Sequence, residues 1–308
     1  MRVVVTGGAG FIGSQLVRTL EAAGHTTTVL DKLTYAGRAE HLTGTGARLV
    51  VGDVCDPDVV ASTVAGHDAV IHAAAESHVA RALDDPGLFI RVNTEGTRVM
   101  LEQCHRAGVG RFLLVSTDEV FGAAPPGVWF APDAPHRPGN AYAASKSGAE
   151  ALVHAWRHTH GYSASIVRCT NNYGPRQHPE KAIPWWTTAA LDGGPVPVHG
   201  DGSPVRDWLH VEDCARGMLA AIEQWQPSSI WHLAGQQLRP NRAVVTEVVR
   251  LCGGAPIAYG PDRPGQDRRY ALDDAETRAA LGWAPRTALA DGLAQTVAWY
   301  REHRGLWS

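Results

Sequence analysis

Lysine is nearly absent from this chain. Only Lys32, Lys146 and Lys181 occur in 308 residues, and arginine supplies the rest of the positive charge. Arginine keeps its proton in a protein, whereas lysine is a compact donor that can release it. Each lysine is therefore worth a question, although for Lys32 an ordinary surface placement is an equal reading. Cysteine is sparse too: five residues, an odd number, with no C-x-x-C spacing. A complete disulfide set is excluded, and free thiols in a reducing cytoplasm are expected. No apolar run approaches the ~18 residues of a membrane span. The N-terminus opens directly on a strand, without a basic segment or cleavage site, so export is not expected. The net charge is only −3, which argues against a nucleic-acid or anionic-membrane surface. The histidines lack ligand spacing, so no metal site is expected. The length suits one large or two closely joined domains.

What is present is a repeated unit. Residues 3–5, 27–30, 48–51, 69–72, 111–115 and 165–167 read as strands. They are apolar on both faces, as in a covered parallel sheet. Helical patterns lie between them, near 11–23, 57–64, 86–107 and 141–160. Strand–helix repeats imply a doubly wound α/β fold, which binds ligands outside the carboxyl ends of its strands. The proline-rich stretch 122–140 reads as a loop. After about residue 170, proline and glycine punctuate shorter elements, with helices expected near 181–192, 211–223, 241–252, 273–281 and 288–303. The expected division is 1–170 for the sheet domain and 171–308 for a smaller C-terminal α/β lobe. That boundary is approximate, since the chain is free to cross between lobes more than once.

A glycine-rich turn, Thr6-Gly7-Gly8-Ala9-Gly10-Phe11-Ile12-Gly13, joins the first strand to the first helix. Gly7, Gly10 and Gly13 allow a tight turn, close approach of backbone to a pyrophosphate, and helix–sheet packing. Asp31 ends the second strand at about the distance a dinucleotide fingerprint requires. The sheet is therefore of Rossmann type. Asp31 should accept from the adenosine ribose hydroxyls and repel a phosphate there, which favours NAD over NADP. Lys32, beside it, softens that preference. Asp53, followed by Val54, ends the third strand; it can bond the adenine amino group or cap the next helix. Ala73, Ala74 and Ala75 follow the fourth strand. Their small side chains suit backbone lying against a flat cofactor, and equally suit tight packing.

Tyr142 and Lys146 are four apart, on one face of a helix. A charged Lys146 would favour phenolate and make Tyr142 a base. Ser116-Thr117-Asp118-Glu119 closes the fifth strand. Adjacent carboxylates on a turn are usually just solvated. Between a dinucleotide turn and Tyr142, they can divide proton removal and leaving-group protonation if their surroundings push their pKa values apart.

Taken together, the motifs GGAGFIGS (7–14), DKLTYAG (31–37), AAESHV (74–79), STDEVFG (116–122), YAASK (142–146), RCTNNYGPRQHPEKAIP (168–184), GDGSPVRDWLHVED (200–213) and DRPGQDRRYALD (262–273) carry a resemblance. The chain resembles the NAD-dependent dTDP-glucose 4,6-dehydratases of the extended short-chain dehydrogenase/reductase family, from the first strand nearly to the C-terminus. UDP-glucose 4-epimerases share the glycine turn and the Tyr/Lys pair but typically lack the adjacent acids.

The resemblance implies NAD as cofactor, held by the glycine turn with Phe11 and Ile12, by Asp31, Lys32, Asp53, Val54 and the Ala73–Ala75 run, and by Ser116, Tyr142 and Lys146. It implies that Tyr142, aided by Thr117 and Lys146, takes the sugar's 4-hydroxyl proton. Glu119 then removes the proton at carbon 5, and Asp118 protonates the departing 6-hydroxyl. Substrate contacts implied by position are Ser77, His78, Thr117, Asn171, Asn172, Lys181, Arg206, Gln237, Asn241, Arg268 and Tyr270. His78 as a buried hydrogen-bonding residue, and Arg206 paired with Asp207, are alternatives. The expected partner is a nucleotide sugar, and a homodimer through the helices near 86–107 and 141–160 follows from the same resemblance. Ala80, Gln237 and Gln266 depart from the family pattern at positions that bear on nucleotide or sugar selectivity. The loop after Glu119 is short, as in variants from antibiotic-sugar pathways. A sugar-nucleotide epimerase or ketoreductase, and a non-catalytic NAD-binding sensor, are the alternative readings.

Overall fold

A computed structural model of the chain describes residues 1–262 and 266–306. Arg263, Pro264 and Gly265 of the DRPGQDRRYALD stretch therefore lie outside the described residues. The first half runs β1 (Arg2–Thr6), α1 (Phe11–Ala22), β2 (Thr26–Asp31), β3 (Arg48–Val51), α2 (Pro57–Val64), β4 (Ala69–His72), α3 (Val79–Asp84), α4 (Pro86–Phe89), α5 (Gly96–Arg106), β5 (Arg111–Thr117), α6 (Ala141–His160) and β6 (Ala164–Cys169). A π-helical segment, Ile90–Glu95, links α4 to α5. The remainder runs β7 (Asn171–Tyr173), α7 (Ala182–Leu191), β8 (Val196–His199), β9 (Val205–His210), α8 (Val211–Glu223), β10 (Ile230–Leu233), β11 (Leu238–Pro240), α9 (Asn241–Cys252), β12 (Ile257–Gly260), α10 (Ala275–Leu281) and α11 (Leu289–Glu302).

Seven strands form one parallel sheet in the order β10-β6-β5-β4-β1-β2-β3. Strand order reverses at β1 and β4, so their carboxyl ends open the crevice where such sheets bind ligands. Side chains alternate across the sheet. Val3, Val5, Leu113 and Val115 join one core, with Leu16, Val17 and Leu20 of α1 and Met218 and Ile222 of α8. Val4, Phe112 and Leu114 join the other, with Val60 of α2, Met100 of α5 and Val153 of α6. Both faces are covered, which explains the unbroken apolar strands.

The chain does cross back after residue 170. β10 pairs with β6 as the seventh strand, Ile230 opposite Ile166, and α8 packs on the large sheet's core. The other late elements build a second core from Tyr173, Trp186, Val198, Trp208, Val245 and Leu293. Two small sheets, β11-β9-β7 and β12-β8, belong to that part. Among the described residues no helix is long and apolar enough to cross a membrane.

Candidate active site

A cleft of about 550 Å³ runs along the carboxyl ends of the large sheet. Every residue expected to hold the cofactor lines it: Gly7, Gly10, Phe11, Ile12, Gly13, Asp31, Lys32, Asp53, Val54, Ala73, Ala74, Ala75, Ser116, Tyr142 and Lys146. The fit to a dinucleotide can be tested on the glycines. Gly7 sits at φ +68°, and a Cβ there would lie 2.8 Å from the Ala74 backbone. A Cβ on Gly13 would stand 2.1 Å from the Gly7 carbonyl oxygen. The turn therefore has no room for side chains, and its backbone is left bare toward the cleft at the start of α1.

Asp31 is built into this cradle. Its carboxylate accepts from the Ala9 N–H at 2.9 Å and the Leu33 N–H at 2.8 Å. Burial raises its pKa, and those two bonds oppose the rise. Lys32 reaches across to Asp53, 2.7 Å away. Burial alone would raise the Asp53 pKa, but Lys32 and the Cys55 N–H outweigh it and hold the carboxyl low. The helix-capping alternative for Asp53 is taken by another residue: Asp56 accepts from Asp58 and Val59 at the start of α2.

β5 and α6 bring the reactive groups together. Asn140 caps α6 by accepting from the Ala143 N–H, and this helix carries Tyr142 and Lys146 in its first two turns. After β5 the chain turns at Asp118–Phe121 in a short 3₁₀ helix. Thr117 Oγ1 donates to Asp118 at 3.2 Å and accepts from the Glu119 N–H at 3.2 Å. Thr117, Asp118, Glu119, Tyr142 and Lys146 all line the cleft.

The two carboxylates have unequal surroundings. Asp118 is 3% exposed, and its Oδ2 has no hydrogen-bond partner among the described residues. Burial raises its pKa well above the usual carboxylate range, and the Glu119 charge adds to the rise. Glu119 is less buried and accepts from Asn140 Nδ2 at 3.1 Å; the Tyr270 hydroxyl stands 3.4 Å away and gives its one proton to Asp267 at 2.9 Å. Asp118 is thus the member inclined to hold a proton.

The expectation that Lys146 lowers the Tyr142 pKa is not met. Burial drives the phenol well above its ordinary value, the Glu119 charge adds to this, and the hydrogen bond with Thr117 opposes it. Lys146 Nζ donates instead to the Val115 carbonyl at 2.6 Å. Burial pulls Lys146 down to about 8, against the charge of Glu150.

The substrate-side residues divide. Ser77, Asn171, Asn172 and Lys181 line the cleft. The Oδ1 atoms of Asn171 and Asn172 are buried without a donor among the described residues, as acceptors for a polar ligand would be; Asn241, at the start of α9, is not among the residues lining the cleft. Lys181 donates to the Ser77 carbonyl at 2.6 Å, and His78 stands 3.6 Å from Glu180. Arg206 lies 4.5 Å over the Tyr270 ring and donates to the Asp267 carbonyl. Asp207 binds the Gly235 and Gln237 N–H groups. Arg268 is exposed, with Ser203 at 3.4 Å. Gln237 is drawn elsewhere: its amide spans Thr287 O and Leu289 N and so ties down the approach to α11.

Several cleft residues escaped the sequence reading. Tyr35 donates to Glu180 at 3.1 Å, and Arg81 stacks 3.6 Å over the Tyr35 ring. Tyr35 lies in the DKLTYAG motif and Glu180 in RCTNNYGPRQHPEKAIP, and that is their only signal in the sequence. Cys169 also lines the cleft, its sulfur 3.3 Å from that of Cys214. No group of three or more His, Cys, Asp or Glu that could hold a metal occurs among the described residues.

A dinucleotide cradle, a Tyr/Lys helix and an acid pair in one cleft define a class, and comparison agrees. A model of the NAD dependent epimerase/dehydratase family matches residues 3–234, and the chain belongs to this family. Within it, the chain is similar along its whole length to dTDP-glucose 4,6-dehydratases. The one from Streptomyces niveus is 45% identical, over 100% of this chain and 95% of the relative. The crystal structure of DesIV (dTDP-glucose 4,6-dehydratase) from Streptomyces venezuelae, with NAD and TYD bound, matches with a TM-score of 0.97 at 42% identity, covering 100% of this chain and 99% of that one. A Thermus thermophilus UDP-glucose 4-epimerase in complex with NAD follows at a TM-score of 0.92 and 31% identity, covering 98% of this chain and 100% of the other.

Proposed function

We propose that this protein is an NAD-dependent hydro-lyase that converts dTDP-glucose to dTDP-4-keto-6-deoxyglucose, in deoxysugar or antibiotic-sugar biosynthesis. One observation carries the reading. Asp118, held toward its neutral form, and Glu119, held by Asn140, stand in one cleft with Tyr142 and Lys146. An epimerase fold of the same shape has no need of that pair, so shape alone does not decide.

NAD, when bound, accepts a hydride from carbon 4 and returns it at carbon 6. Tyr142 takes the 4-hydroxyl proton. Burial of the phenol favours a transfer that keeps pace with loss of the hydride. Charged Lys146, one turn along α6, and the Thr117 hydroxyl, once turned from Asp118 to the phenol, favour the developing phenolate. The ketone acidifies carbon 5, and Glu119 removes that proton. Asp118 protonates the departing 6-hydroxyl. The buried surroundings of Asp118 limit competition from water. Asn171, Asn172 and Lys181 support recognition of the nucleotide diphosphate. Arg206 and Arg268 supply planar donor forks suited to phosphate.

The same reading takes residues 1–170 as the NAD-binding part, completed by β10 and α8, and the second core as the sugar-nucleotide lobe. It also makes the protein a cytoplasmic homodimer through α5 and α6. The exposed Leu83 and Ile90, on the segments leading into α5, support such pairing.

The test is to incubate purified protein with dTDP-glucose, without added reductant, and follow mass and carbonyl formation. Loss of one water with a new ketone is expected. An isomer of unchanged mass would mean an epimerase instead.

A further inference from the structure

We propose that Asn140 is a positioning residue for Glu119, tying the elimination base to the helix that carries the oxidation base; this rests on the dehydratase reading above. Asn140 is the N-cap of α6, two residues before Tyr142. Its Oδ1 accepts from the Ala143 N–H at 2.8 Å, while its Nδ2 donates to Glu119 Oε2 at 3.1 Å. The amide is planar, so seating one end on the helix aims the other at the carboxylate. Capping alone does not call for an amide, because serine or aspartate caps a helix about as well. The NH₂ group is the part that capping leaves unexplained.

The tie also sets which oxygen of Glu119 is used. Asn140 and the Tyr270 hydroxyl both reach Oε2. Among the described residues no donor reaches Oε1, which leaves that oxygen for a carbon-bound proton. Glu119 otherwise faces acidic and phenolic groups. Asp118 stands on its own turn, Tyr142 on α6, and Tyr270 with Asp267 on the segment before α10. Arg206 of β9 is the cation near Tyr270 and Asp118. A neutral donor fixed at 3.1 Å holds the carboxylate in the place a base must occupy.

Two substitutions separate the tie from the cap. Asn140→Asp keeps a capping oxygen and turns the donor into an oxygen facing Glu119. Asn140→Ser keeps the cap and removes the donor. Both variants should fold and should still oxidise carbon 4, seen as bound reduced nicotinamide on adding dTDP-glucose. Water loss should slow on the order of 100-fold, more in the aspartate variant. Crystal structures of both variants should show the start of α6 unchanged and the Glu119 carboxylate moved from its place beside Tyr270.

Water loss at the wild-type rate in both variants would overturn the proposal. So would a Glu119 carboxylate left in place in both variant structures, or an equal loss of oxidation and elimination in Asn140→Ser, which would leave only a cap. The variant structures need no turnover. A wild-type protein that releases no water from dTDP-glucose would therefore sink the dehydratase reading and still leave Asn140 to be judged.

Discussion

Arg168 and Glu150 meet inside the protein at 2.7 Å, with 2% and 0% of their side chains exposed. Glu150 also accepts from Ser116, directly before the Thr117-Asp118-Glu119 turn. Arg168 donates further to the Pro132 carbonyl and bonds His136 and His232. One ion pair thus joins β5, α6, β6, β10 and the 122–140 loop behind the reactive groups.

Removing one partner should therefore be severe. Glu150→Leu leaves a buried guanidinium uncompensated, and stability should fall by about 3–5 kcal/mol, read from the urea midpoint. Burial alone would raise the Glu150 pKa, but Arg168 and the Ser116 bond outweigh it and hold it low. A carboxylate with a depressed folded pKa stabilises above its unfolded value and loses that contribution as pH falls through the folded one. The gap between wild type and Glu150→Leu should accordingly narrow in acid.

Asp118→Asn and Glu119→Gln should each stop water loss by about 10²–10⁴-fold while slow oxidation at carbon 4 survives. Rapid-quench product analysis beside nicotinamide absorbance separates the two steps. If both variants dehydrate normally, the assignment of acid and base is wrong.

Lys146 gives the pH profile a limb. Burial places its pKa at about 8, so its charge is present below that pH and lost above it. The oxidation step should weaken as pH rises through about 8, followed by kcat/KM from neutral to alkaline pH. Lys146→Met should be slow throughout and should lack that limb.

Gly13→Ala should abolish cofactor retention. The added methyl would stand 2.1 Å from the Gly7 carbonyl oxygen and 2.7 Å from Gly8 Cα, and backbone cannot yield as a side chain can. Titration of the stripped protein with NAD should show binding in wild type and none in the variant.

Much of this architecture was legible before any coordinates. The first six strands announce themselves as apolar runs, and α2, α6, α8 and α9 begin and end where their patterns do. β7 and β11 did not, because three residues such as Leu238–Pro240 carry no period. Ile230–Leu233 was silent for a different reason: nothing local says that a short run after a second lobe will return to the first sheet. At the site, residue types were readable and surroundings were not. Burial overrode the expected effect of Lys146 on Tyr142. Asn140 looks like any cap until Glu119, 21 residues earlier, is seen beside it.

The return of β10 to pair with β6 has a consequence for how the chain is made. During synthesis the first ~170 residues emerge with β6 as an uncovered, hydrogen-bond-hungry sheet margin, and α1 emerges without its partner α8. That margin is sealed only after some sixty more residues have followed, when Ile230–Leu233 arrives. A nascent chain that has emerged only to about residue 170 should bind chaperones and be cut readily by protease. One released past residue 233 should hold a closed sheet.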